Sequence, residues 1–172
     1  RASSSPDVES SAIGVDLGSK RIGVALSDSA GTLAVPFEVV QRSKDRARDH
    51  RAIAALAAEA EAEVVVVGVP YSLDGSVGPA ARRALAEIRA MRRALAVPVE
   101  TYDERLSTVT AHRSLQEMDV DAATRRKVVD KVAAAVILQA WLDNRSAADP
   151  DTVQPALPPP SQNNEEQARD AS

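Results

Sequence analysis

The chain has 172 residues, a net charge of −4 and no cysteine. That length suits one domain, and the lack of cysteine excludes disulfides, thiolate metal sites and a cysteine nucleophile. Phe37, Tyr71, Tyr102 and Trp141 are the only aromatics, too few for nucleic-acid binding dominated by base stacking.

No apolar run nears the roughly 20 residues of a membrane span, and no apolar signal region opens the sequence. A soluble, cytoplasmic protein with no membrane association is expected. The charge is uneven. Residues 149–172 hold five acids and one base and residues 1–10 two acids and one base, which leaves 11–148 at +1. A near-neutral body can still carry a local basic patch.

Residues 1–11 are Ser-rich and are expected to be disordered. Strands at 12–17 and 21–28 are joined by Gly18-Ser19-Lys20 as a tight hairpin. Residues 32–40 read as a third strand, with Pro36 marking an edge or a bulge. A helix over 44–62 places Ile53, Leu56 and Ala60 on one face. The β-branched run Val64 to Val67 predicts a central strand buried on both faces. A Gly/Pro loop from Pro70 to Pro79 leads into a helix over 79–96, with Leu85, Ile88, Met91 and Leu95 as its apolar stripe. Val97 to Tyr102 is a short strand. Ser107 is a candidate N-cap for a helix reaching Met118, and residues 125–143 form the last helix. From Ser146 onward, prolines and polar residues predict a disordered acidic tail. Three strands followed by helix–strand alternation imply a mixed five-stranded sheet with helices on both faces. That is the layout of ribonuclease H-like α/β domains, here spanning 12–145.

Three acids stand at the ends of, or inside, apolar elements: Asp16 in Gly14-Val15-Asp16-Leu17-Gly18, Glu104 in Tyr102-Asp103-Glu104-Arg105, and Asp130 in Val128-Val129-Asp130-Lys131. A carboxylate is costly to bury alone. Three that converge would share a positive charge, and hard oxygen ligands suit Mg²⁺ or Mn²⁺, the chemistry of phosphodiester cleavage. Adjacent acids on an extended chain point apart, so one of Asp103 and Glu104 faces the site and the other meets backbone or an arginine. Asp130 shares a helical face with Arg126, Lys127 and Ala134, and a solvent-exposed ion pair remains open for it. Lys20, Arg21, Arg105, Arg126, Lys127 and Lys131 lie near the acids in sequence and are candidate phosphate contacts. Ser72 sits in a loop after the buried strand, where functional groups concentrate. His50 and His112 fall on separate predicted helices and read as surface residues.

Together these stretches resemble the YqgF/RuvX family of Holliday-junction-resolvase-like proteins, also described as pre-16S rRNA nucleases. The resemblance rests on Gly14 through Ala25, on Val67-Gly68-Val69-Pro70 with Asp74-Gly75-Ser76, on Asp103 through Thr108, and on Lys127 through Ala134. Four blocks in this order are specific, and they cover about 12–143. The resemblance implies a ribonuclease H-like fold, a metal-dependent nuclease using Asp16, Glu104 and Asp130 with Mg²⁺ or Mn²⁺, and a role in maturing the 5′ end of precursor 16S rRNA. It also implies that Glu104 is the inward acid. Precursor rRNA, with branched DNA as the alternative, is the expected partner, together with ribosomal precursor particles. A junction resolvase would need a homodimer to cut two strands; monomer and homodimer both stay open. An ATP-binding lobe and a non-catalytic nucleic-acid-binding module are the rival classes.

Overall fold

A computed structural model describes residues 11–109 and 122–147, with side chains at 11–109 and 131–146. The Ser-rich start, nearly all of the expected Ser107–Met118 helix and the acidic tail beyond Ala147 lie outside the described residues. Five strands, β1 (Ala12–Leu17), β2 (Arg21–Ser27), β3 (Ala34–Gln41), β4 (Val64–Val69) and β5 (Val99–Asp103), form one sheet in the order β3-β2-β1-β4-β5. The helices are α1 (Arg46–Glu59), α2 (Pro79–Ala94) and α3 (Ala122–Ala147).

The connections dictate strand direction. Short turns leave β1, β2 and β3 antiparallel, whereas α1 and α2 serve as crossovers that set β4 and β5 parallel to β1. This is the mixed, ribonuclease H-like sheet that the pattern implies. Pro36 lies on edge strand β3 at an irregularity: Val24 pairs with Glu38 but Ala25 with Pro36, so Phe37 is the additional residue of a bulge. An edge bulge is where a residue without an N–H does least harm. Asp45 caps α1 by accepting from the Ala47 N–H, which starts the helix at Arg46 rather than at residue 44.

Strand alternation sorts the core into two layers. On one face Ile13, Val15, Ile22, Val24, Val65 and Val67 pack with Ile53 and Ala57 of α1 and Ile88 and Met91 of α2. On the other, Ala12, Ala25, Val64 and Val66 pack with Ala133, Ala134, Ile137 and Leu138 of α3. Every residue of β4 is buried, as expected of a central strand covered on both faces. No described helix is long and apolar enough to cross a membrane.

One close approach positions α3. A Cβ on Gly14 would lie 2.7 Å from Leu138 Cβ and 2.9 Å from the Ala134 carbonyl oxygen. The helix backbone therefore occupies the space that a side chain on β1 would need. Gly14→Ala should destabilise the fold by about 1–3 kcal/mol, the usual range for overpacking. Its melting temperature should fall by several degrees; an unchanged transition would show that α3 does not rest on β1 this closely.

Candidate active site

Alternation along β1 sends Asp16 to the α3 side, with Ala12 and Gly14. Val15 pairs with Val67 of β4, so the next step of the register brings Asp16 beside Gly68. Glu104 opens a single 3-10 turn, Glu104–Leu106, directly after β5. The Asp103 carboxylate caps that turn, accepting from the Arg105 N–H at 2.9 Å, and pairs with the Arg105 guanidinium at 2.6 Å. The hydrogen bond from Arg105 holds the Asp103 carboxyl below its ordinary range. Glu104 is turned the other way and is buried. A Cβ at Gly68 would meet Glu104 Oε1 at 2.9 Å and Ile137 Cδ1 at 2.6 Å, so the Glu104 carboxylate lies over the gap that this glycine leaves. Asp16 and Glu104 are each 5% exposed, and both line one cleft of about 840 Å³.

The backbone of Asp130 belongs to α3, one helical turn before Ala134; its side chain, like those of Arg126 and Lys127, lies outside the described residues. Among the described residues no three acids or histidines form a metal-binding group. Lys20 and Arg21 line the cleft beside Asp16. Ser72, Arg105 and Lys131 are not among the lining residues. The Ser72 backbone closes a small loop, with its N–H donating to the Ser76 carbonyl and its own carbonyl accepting from Gly75. The Arg105 guanidinium stands 5.7 Å from the Tyr71 ring centroid.

The rest of the cleft wall comes from the opposite, α1–α2 side: Arg42, Ser43, Arg46, Asp49, Arg83 and Glu87. Here the expectation of a surface His50 is corrected. His50 is 3% exposed, with Nε2 at 3.1 Å from Glu87 Oε1. Arg42 donates from both terminal nitrogens to the two Glu87 oxygens. It also donates through Nε to the Gly18 carbonyl at 2.9 Å and through its backbone N–H to the Lys20 carbonyl at 3.0 Å. This network ties the β1–β2 turn to both helices. Its sequence cue is a polar residue at a core-facing position: Ala84, Glu87, Ile88 and Met91 share one helical stripe, and His50 lies three residues before buried Ile53. His112 lies outside the described residues.

The family model described as "RuvX: Holliday junction resolvase" matches residues 10–144. The chain belongs to the RuvX family. Two of its relatives carry the name "Putative pre-16S rRNA nuclease". That of Mycobacterium sp. (strain KMS) is 51% identical over 137 residues, covering 79% of this chain and 81% of its own. That of Myxococcus xanthus (strain DK1622) is 47% identical over 139 residues, covering 81% and 91%. Among solved structures, Thermus thermophilus RuvC in complex with Holliday junction substrate aligns with a TM-score of 0.48 at 16% identity, over 80% of this chain and 96% of that one. So loose a likeness carries no argument about this RuvX member, whose fold rests on its own strand order.

The buried pair has a pH signature. Burial alone would push the Glu87 carboxyl up, but the hydrogen bonds and charges of Arg42 and His50 outweigh it and hold it below the ordinary value of 4.5. A carboxyl depressed on folding stabilises fully above its unfolded pKa, and that contribution is lost as pH falls through the folded value. Glu87→Gln should cost about 3 kcal/mol at pH 7, since it leaves Arg42 uncompensated. In urea titrations the gap to the parent should close below the ordinary carboxyl range. An equal gap at pH 7 and pH 3 would remove the Glu87 charge from this account.

Proposed function

We propose that the chain is a metal-dependent nuclease of the cytoplasm that hydrolyses RNA phosphodiesters, with precursor 16S rRNA as its substrate. One observation carries the reading: two carboxylates delivered by separate elements, Asp16 from β1 and Glu104 from the turn after β5, are buried in one cleft with Lys20 and Arg21 beside them. Family membership and the names of the relatives support it.

The donor set suits a hard cation. Asp16 and Glu104 offer oxygen ligands of the type that Mg²⁺ and Mn²⁺ prefer, and Asp130 of α3 would complete the set. A bound ion of this class acidifies a water and offsets charge on the leaving oxygen. The chain's own residues do the rest. The 3-10 turn and the Gly68 gap fix the direction of the Glu104 carboxylate. Strand β1, hydrogen-bonded on both sides, fixes Asp16. Lys20 and Arg21 hold the phosphate. No side-chain nucleophile is needed. A second reading, cleavage of branched DNA, has the description of the family model in its favour, and it would require a homodimer to cut two strands. A cleavage assay with precursor rRNA ends, generic RNA and four-way-junction DNA in Mg²⁺ or Mn²⁺ separates the two.

Asp16→Asn, Glu104→Gln and Asp130→Asn should each lower metal-dependent cleavage by roughly 10²-fold or more, because even residues behind metal ligands are worth 10–100-fold. RNA affinity in Ca²⁺ should be kept or improved, since phosphate contacts supply most of it. Cleavage at the parent rate by all three variants would end the three-carboxylate reading. Gly68→Ala is a finer probe. The atoms it would displace belong to the side chains of Glu104 and Ile137 and not to backbone, so stability should fall less than in Gly14→Ala. Cleavage should fall by at least about ten-fold, as misplacement by about 1 Å is costly. Full activity in this variant would show that the exact seat of Glu104 is immaterial.

A further inference from the structure

The cleft has two ends of different chemistry. Asp16 and Glu104 occupy one. The other is built on the far face of the sheet from segments remote in sequence: the residues just after β3, the first residue of α1 and the first half of α2. Its two acids are already engaged. Glu87 is held by Arg42 and His50. Asp49, 2% exposed, accepts from the Ser43 N–H at 3.0 Å and the Ser43 hydroxyl at 2.8 Å. Three cations that line the cleft are not so engaged: Lys20, Arg46 and Arg83 are exposed and make no ion pair among the described residues. Among the described residues, no aromatic side chain lines the cleft.

We infer that Arg46 and Arg83 form a second phosphate subsite, beyond Lys20 on the strand's path, which grips the backbone of a single strand away from the acids and without regard to base. The inference rests on the nucleic-acid reading above and adds Arg46 and Arg83 to it. Cations without a stacking platform hold backbone rather than read bases. A cleft of about 840 Å³ is in the size range of ordinary ligand pockets and has room for a few nucleotides of single strand. The strand would run from Asp16 over the β1–β2 turn, past Lys20, to the helix side. Arg42 does not bind in this scheme; it holds the turn that carries Lys20.

The test is anisotropy of the full chain with labelled 12-nucleotide RNAs of two unrelated sequences in Ca²⁺. Arg46→Ala/Arg83→Ala should weaken both equally, by about ten-fold at low salt. The slope of log affinity against log salt should flatten by about 1.4, two phosphate contacts at roughly 0.7 each. Arg46→Lys/Arg83→Lys should restore most of the loss. Arg89→Ala/Arg93→Ala, which removes two exposed charges of α2 outside the cleft, should change affinity by less than about two-fold. Unchanged affinity and slope in Arg46→Ala/Arg83→Ala, a loss matched by the Arg89→Ala/Arg93→Ala control, or a loss confined to one sequence would overturn the subsite. A parent protein that binds RNA but never cleaves it would sink the nuclease reading and leave the subsite standing. One that binds no RNA would sink both.

Discussion

Two absent side chains on one face of the sheet decide where the acids can stand. At Gly14, α3 comes so near to β1 that a methyl group would collide with helix backbone. At Gly68, one strand over, the same face leaves room for the Glu104 carboxylate and the tip of Ile137. Close packing transmits such constraints because an interior has few voids to absorb a shift. A larger residue at 14 would lift the helix that also carries Asp130. One at 68 would displace an acid while leaving the helix backbone where it is. The two glycines thus act at different levels, one on the fold and one on the chemistry, although they occupy the same layer.

The opposite face depends on a buried charge cluster. Arg42, Glu87 and His50 come from the segment after β3, from α2 and from α1, and Arg42 reaches the carbonyls of Gly18 and Lys20 as well. Burying such a group in place of well-packed apolar residues is often neutral for stability. What it supplies here is position. A planar guanidinium with five donors can hold a carboxylate and a carbonyl at once, and it thereby joins the β1–β2 turn to both helices. Asp16 stands just before that turn and Lys20 within it, so the cluster couples the placement of a candidate ligand to that of a candidate phosphate contact.

The strands were legible because their signals are local. Period-2 alternation, a Gly-containing turn and a four-valine run foretell β1, β2 and β4, and hairpin and crossover rules give a mixed sheet. Asp16 and Glu104 were legible as well, because an acid at the end of an apolar strand is conspicuous, and the family resemblance selects Glu104 over Asp103. The helix-side wall of the cleft was not legible. Arg42 and Glu87 are 45 residues apart, and although Glu87 falls on the core-facing stripe of α2, nothing local pairs it with Arg42. A lone histidine in a polar helix reads as surface by default, and His50 is the case where tertiary pairing overrides that default. For Arg105 local sequence pointed both ways, toward phosphate and toward Asp103, and the 3-10 turn brings it to Asp103.

The net charge of −4 is a poor guide to what the cleft attracts. Exposed charges separated by more than about 8–10 Å are largely screened at physiological salt, so a strand entering the cleft responds to the lining and not to distant surface acids. Five cations and four acids line it, and the sheet divides them. Alternation sends Asp16 to one face, and Glu104 joins it over Gly68. The β1–β2 turn then carries the chain across the sheet edge to Lys20, where α1 and α2 add Arg46 and Arg83. Were the charges intermixed, each acid would cancel a neighbouring base and the cleft would hold neither a cation nor a phosphate well. Segregated by the sheet edge, one end can gather positive charge for chemistry while the other neutralises the backbone that must be held still beside it.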